Sequence, residues 1–148
     1  MTLILEPLRG LLKAIRIDYE AGYTQTVVEL IHADVFADFL DMADYLLRGD
    51  YKDAAAVITG SVLEEHLRKL CAKHGIDIVK GNGSPKTADT LNADLAAAGV
   101  YTKLDQKSVT AWLDLRNKAA HGKYTEYVKE QVELMLQGVQ EFAARHSA

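Results

Sequence analysis

Residues 23–47 read YTQTVVELIHADVFADFLDMADYLL, and this run decides the fold class. Val27, Leu30, Ile31, Val35, Phe39, Met42 and Leu46 recur mostly at steps of three and four, as one face of an α-helix requires at 3.6 residues per turn. A half-buried strand would alternate apolar and polar residues, and no such alternation runs through this chain. The run stops at Arg48-Gly49-Asp50. There Gly49 is expected to cap the helix and Asp50 to open the next element.

The same period continues on both sides. Upstream, a helix from Leu3 to Tyr19 would place Leu5, Leu8, Leu12 and Ile15 on one side, and Gly22 allows a break. Downstream, a helix from Asp50 to His74 carries an apolar band of Ala56, Leu63, Leu67, Leu70 and Cys71, with Ser61, Glu64 and Arg68 on its margin. Gly75 and the run from Lys80 to Pro85 form a loop rich in turn residues, expected to be mobile. Its glycines lack phosphate-loop spacing and follow no strand. A short helix from Thr87 to Ala98 ends at Gly99, a longer one runs from Asp105 to His121, and a last one from Thr125 to Arg145. The last would bury Tyr127, Val128, Val132, Leu136, Val139 and Phe142. The expected fold is all-α: an up-and-down helical bundle of four to five main helices plus a short one, with residues 1–148 as a single domain.

Composition agrees with that fold. A chain of 148 residues with 49% hydrophobic and 26% charged residues can bury one sizeable core. Its net charge of −4 argues against broad, sequence-blind nucleic-acid binding, although a local basic cleft is compatible with it. Lys118, Lys123 and Lys129 with Arg116 make one such patch, interrupted by Glu126 and Glu130. The lone Cys71 excludes an internal disulfide and fits a core position in a reducing compartment. No apolar run reaches transmembrane length and no signal-peptide layout begins the chain, so the expected location is the cytoplasm. The five histidines form no His-x-x-x-His pair and Glu64-Glu65-His66 is too tight a cluster to surround an ion, so neither a metal nor another cofactor is expected.

One cluster stands out for its chemistry: Leu115-Arg116-Asn117-Lys118-Ala119-Ala120-His121-Gly122. On a helical wheel Arg116 falls among Val109, Trp112, Ala119 and Ala120, so a guanidinium is aimed at an interface. Because it stays charged there, it needs a carboxylate, a phosphate or a wet cleft. Arg116 and His121 stand roughly 140° apart on the wheel, too far for one helix to aim both at one atom unaided. Asn117 and His121, at i and i+4, are better placed for the amide to orient the ring. Trp112, Tyr124 and Tyr127 have the chemistry to stack on bases and the spacing of core residues.

Arg116, Asn117 and His121 just before the last helix, together with the upstream run from Ser61 to Leu70, resemble the HEPN superfamily of small helical bundles, which includes abortive-infection and toxin-type domains. The likeness spans about Phe36 to Phe142. The looser spacing of Arg and His recurs at Arg68 and His74. Asn117, the small Ala119 and Ala120, and Gly122 favour the later pair. The resemblance implies a homodimer whose motif helices face each other across a cleft and, in active members, a metal-independent endoribonuclease. Arg116 would then stabilise charge on phosphorus, His121 would move a proton, Asn117 would hold the ring, and Lys118 and Lys123 would bind RNA.

Glu64 and Glu65 are candidates to orient Arg116, or else plain partners of Arg68 and Lys69 at i+4. Arg116 has an equally plain reading, as a structural ion-pair donor to Glu64 or Glu65, and His121 with Gly122 as a helix end. In that case the domain would be a non-catalytic module, with a nucleotidyltransferase-type antitoxin as the partner the resemblance suggests.

Overall fold

The structure, a computed structural model, describes Arg9 and residues 27–148. The expected helix from Leu3 to Tyr19 and the break at Gly22 lie outside the described residues. The chain divides into two compact units, Met1–Asp34 and Val35–Ala148. In the first, Arg9 and residues 27–34 are helical. The second is an all-α bundle of α1 (35–48), α2 (Lys52–Lys73), α3 (Ala88–Ala97), α4 (Lys103–Ala120) and α5 (Lys129–Arg145), with a 3₁₀ turn at Tyr124–Glu126.

The central element is α2. Its buried residues, among them Ala56, Gly60, Val62, Leu63, His66, Leu67 and Cys71, cover about half the helix circumference, as expected of an element packed against α3, α4 and α5 together. Helix α1 joins the same core through Phe36, whose ring meets His66 edge-on at 5.7 Å, while His66 meets Phe142 of α5 at 6.1 Å. His66 Nε2 also lies 2.6 Å from the backbone oxygen of His146, tying the end of the chain to α2. Burial pushes the Cys71 thiol above its ordinary range, as suits a small core residue.

In α1 the core takes a different face from the expected one. Phe36, Leu40, Ala43 and Leu47 are buried, whereas Val35, Phe39 and Met42 are exposed. The apolar arc of this helix covers roughly half its circumference, and its two stripes lie about 110° apart. The stripe carrying the small Ala43 is the one that packs. The helix end also differs from expectation. Asp50, with φ 68°, and not Gly49, takes the left-handed position, and Tyr51 N–H donates to Leu46 O at 2.9 Å.

The starts of α3 and α4 are set by threonine caps. Thr87 and Thr102 cap α3 and α4 by accepting from the N–H groups of Thr90 and Asp105. Helix α4 therefore starts two residues before the expected Asp105. Helix α5 starts at Lys129 and not at Thr125; Val128, expected on its apolar face, precedes it and is exposed. In the turn-rich loop, Ser84 N–H and Oγ both bond to Asn82 Oδ1, and Lys80 N–H donates to Ser84 O. A buried polar knot joins α3 to α4. Asn92 Nδ2 donates to Gln106 O and Thr110 Oγ1, and its Oδ1 accepts from Tyr101 OH at 2.6 Å. Burial drives the Tyr101 phenol above its ordinary pKa.

Candidate functional site: the Arg116 cavity

The site begins with a missing side chain. A Cβ built on Gly60 would stand 2.0 Å from Arg116 Cγ and 2.4 Å from Arg116 Cβ, so the stem of Arg116 lies directly across the α2 backbone. One turn along α2 from Gly60 is Glu64, and one turn further is Arg68. This i, i+4, i+8 row faces Arg116. Glu64 Oε2 accepts from Arg116 Nη1 at 3.1 Å, and Glu64 Oε1 accepts from Arg68 Nη2 at 3.0 Å. One carboxylate thus holds two guanidinium groups, each only partly exposed, at 17% for Arg116 and 24% for Arg68. Of the two expected partners, Glu64 holds Arg116. Glu65 turns to solvent and pairs with Lys69 at 3.4 Å.

Two further contacts fix the pair. Arg116 Nε donates to Asn117 Oδ1 at 3.1 Å, and Arg68 Nη2 also donates to the backbone oxygen of Lys86 at 3.0 Å. Lys86 is itself bonded to Asp94 at 2.8 Å, which raises its pKa. Glu64, Arg68, Lys86, Arg116 and Asn117 line an open cavity of about 410 Å³ between α2, α4 and the start of α3, whose wall also includes Thr87, Asp89 and Leu113.

His121 stands apart. It is the C-cap of α4, its N–H donates to Asn117 O at 3.0 Å, and Gly122 with φ 75° turns the chain away. The imidazole is exposed, forms no hydrogen bond or ion pair among the described residues, and lines no part of the Arg116 cavity. The expected bond from Asn117 to the ring is not made; the Asn117 side-chain oxygen accepts from Arg116 Nε instead. Arg116 and Asn117 therefore share one site, with His121 beyond it at the end of the same helix.

The expected basic patch is dispersed. Lys118 pairs with Asp114 at 3.2 Å and Lys129 with Asp50 at 2.9 Å, and the exposed Lys123 ammonium has no acid partner among the described residues. Among the aromatic candidates, Trp112 packs over Gly138, where an added Cβ would meet its ring at 2.3 Å, and edge-on to Phe142 at 6.1 Å. Tyr127 is buried, donates its hydroxyl to Asp53 and lies under Lys52 Nζ at 3.8 Å from its centroid. Only Tyr124 of the three is well exposed.

Among the described residues no group of three or more His, Cys, Asp or Glu side chains is placed to hold a metal ion, and no helix is long and apolar enough to cross a membrane. Sequence reasoning missed Gly60 and Lys86. The spacing Gly60, Glu64, Arg68 was a readable signal for the first, since a glycine inside a helix costs about 1 kcal/mol against alanine and needs a packing reason. Nothing in the sequence pointed to Lys86. Compared with known protein families, with curated proteins and with solved structures, the chain matches none.

Proposed function

We propose that this chain is a HEPN-type, metal-independent endoribonuclease acting as a homodimer, with Arg116, Asn117 and His121 as its working residues. What supports the reading is that Arg116 is held at both ends, its stem on Gly60 and its Nη1 on Glu64, while it still borders an open cavity. A cation fixed before substrate arrives stabilises developing negative charge without reorganising during the reaction. The exposed imidazole of His121 has the side-chain chemistry for proton transfer.

In the proposed step the 2′-oxygen bonds to phosphorus as the bond from phosphorus to the 5′-oxygen breaks. The proton leaves the 2′-hydroxyl for one imidazole and reaches the departing oxygen from a second, protonated one. The products are a 2′,3′-cyclic phosphate and a 5′-hydroxyl. Two imidazoles and the separation of His121 from the Arg116 cavity both suit a site composed from two subunits, with Lys123 at its edge.

The test is cleavage of single-stranded RNA in EDTA. His121→Ala should abolish cyclic-phosphate formation while leaving helical content and assembly unchanged, since an exposed cap residue contributes little to the core. Full-rate cleavage by that variant, or a strictly metal-dependent one, would sink the reading. A second reading, a non-catalytic module partnering a nucleotidyltransferase-type protein, draws support from one observation: Asn117 is engaged with Arg116 and not with the His121 ring. It is favoured if wild-type protein leaves RNA intact under the same conditions.

A further inference from the structure

The mechanism above uses Arg116 alone, yet the cavity is built around two arginines. A guanidinium has five N–H groups. Arg116 engages two of them, on Glu64 and Asn117, and Arg68 engages two, on Glu64 and the Lys86 carbonyl. Three remain on each. Both side chains border the same open cavity, which places guanidinium N–H groups with no acceptor among the described residues at its wall. Partly buried donors of this kind call for an acceptor with several oxygens.

Charge narrows the choice. Arg68 and Arg116 contribute two positive charges and Glu64 one negative, a balance of +1. Lys86 is matched by Asp94. Asp89, exposed at the rim, brings the formal sum to zero, offset in part by the positive field of the first turn of α3. A ligand group carrying a single negative charge and two free oxygens fits this balance better than one carrying two.

We propose that the cavity is a phosphodiester-binding subsite in which Arg68 is a second phosphate-binding residue beside Arg116, both levelled by Glu64, and that it takes one backbone phosphate of single-stranded RNA. This rests on the ribonuclease reading for the identity of the polymer, but the site itself lies within one protomer and does not need the composite cleft. Because Arg116 is also the residue proposed to stabilise charge on the reacting phosphorus, the phosphate held here is the one that is cleaved.

The experiment is an NMR titration of ¹⁵N-labelled full-length protein with dimethyl phosphate, at fixed ionic strength balanced with sodium chloride. Saturating shifts should be confined to α2 between Gly60 and Arg68, to α4 around Arg116 and to the first turn of α3. Affinity should fall roughly ten-fold or more in Arg68→Gln, less in Arg68→Lys, which keeps the charge but not the fork, and stay unchanged in Lys69→Ala. Shifts that sodium chloride alone reproduces, or full affinity in Arg68→Gln, would overturn the proposal. Tighter binding of inorganic phosphate than of dimethyl phosphate would overturn the assignment to a diester. Failure of RNA cleavage with diester binding intact removes the enzyme and leaves the subsite. Cleavage without diester binding does the reverse.

Discussion

Helix α4 sends two side chains one turn apart into two glycine notches, and the notches have different fates. Trp112 fills the one at Gly138 of α5, where its ring also meets Phe142. Arg116 fills the one at Gly60 of α2 with its stem only, leaving its guanidinium at the edge of an open cavity. The steric device is the same in both: two helices approach closely because one lacks a Cβ. The α5 notch is complete once an apolar ring lies in it. The α2 notch ends in a charged group with donors to spare, so the same device that fixes a core residue there fixes a chemical one.

The largest expected effect separates the two notches by stability. Trp112→Ala should cost on the order of 3 kcal/mol, the usual scale for removing a large packed aromatic ring. Arg116→Ala should cost about 1 kcal/mol, because Glu64 keeps Arg68 as a partner. Chemical denaturation of both variants measures the difference. An Arg116→Ala loss equal to that of Trp112→Ala would make both notches purely structural.

Next come the notches themselves. Gly60→Ala and Gly138→Ala should each destabilise by roughly 1–2 kcal/mol, since overpacking outweighs the gain in helix propensity. Their functional effects should diverge. Gly60→Ala must displace Arg116 from Glu64 and should weaken phosphodiester binding, whereas Gly138→Ala should leave it intact in the folded protein. Parallel melts and titrations decide this, and equal losses of binding would erase the contrast.

Glu64→Gln sharpens it further at smaller energetic cost, within about 1 kcal/mol. Removing the shared carboxylate frees positive charge, so RNA should bind more tightly and with a steeper dependence on salt. Cleavage should slow, because Arg116 loses its fixed direction. Tighter binding with unchanged or faster turnover would show that Glu64 only neutralises.

The smallest effect lies on the α5 side, where Arg145 bonds to Asp105 in the first turn of α4 at 2.8 and 3.2 Å. That guanidinium holds the Asp105 carboxyl below its ordinary value of 3.8. A carboxylate whose folded pKa is depressed stabilises the fold above its unfolded pKa, and loses that contribution as pH falls through the folded one. Stability should therefore drop below about pH 3.8. In Asp105→Asn that part of the acid limb should be missing, at a cost near half a kcal/mol at neutral pH for a pair whose arginine is well exposed. An unchanged acid limb would mean the pair contributes nothing measurable.

Much of this fold could be read from periodicity because α3, α4 and α5 each carry an apolar stripe and α3 has conventional ends at Thr87 and Gly99, whereas the starts of α4 and α5 at Lys103 and Lys129 differ from the expected Asp105 and Thr125. Helix α1 misled for a physical reason: with an apolar arc half a turn wide, spacing cannot say which stripe packs, and the small Ala43 decided it. At the site, the sequence marked Arg116, Asn117 and Glu64, and it left open whether Arg116 was paired. It overestimated the neighbour relation of Asn117 and His121, since i, i+4 proximity does not outrank a guanidinium one residue away. Lys86 escaped because it reaches the cavity through a loop whose path no local pattern specifies.

Asp50 closes α1 in the left-handed conformation while its carboxylate reaches Lys129 at the start of α5. Glycine at this position would relieve a backbone cost of about 1 kcal/mol and give up an exposed ion pair of small worth. The two effects oppose each other. For protein engineering this makes residue 50 a poor lever on stability and a good place for a label or a graft: an exchange of aspartate for glycine should pass almost unnoticed by the fold, and it would release the first turn of α5 from the end of α1 without touching either glycine notch.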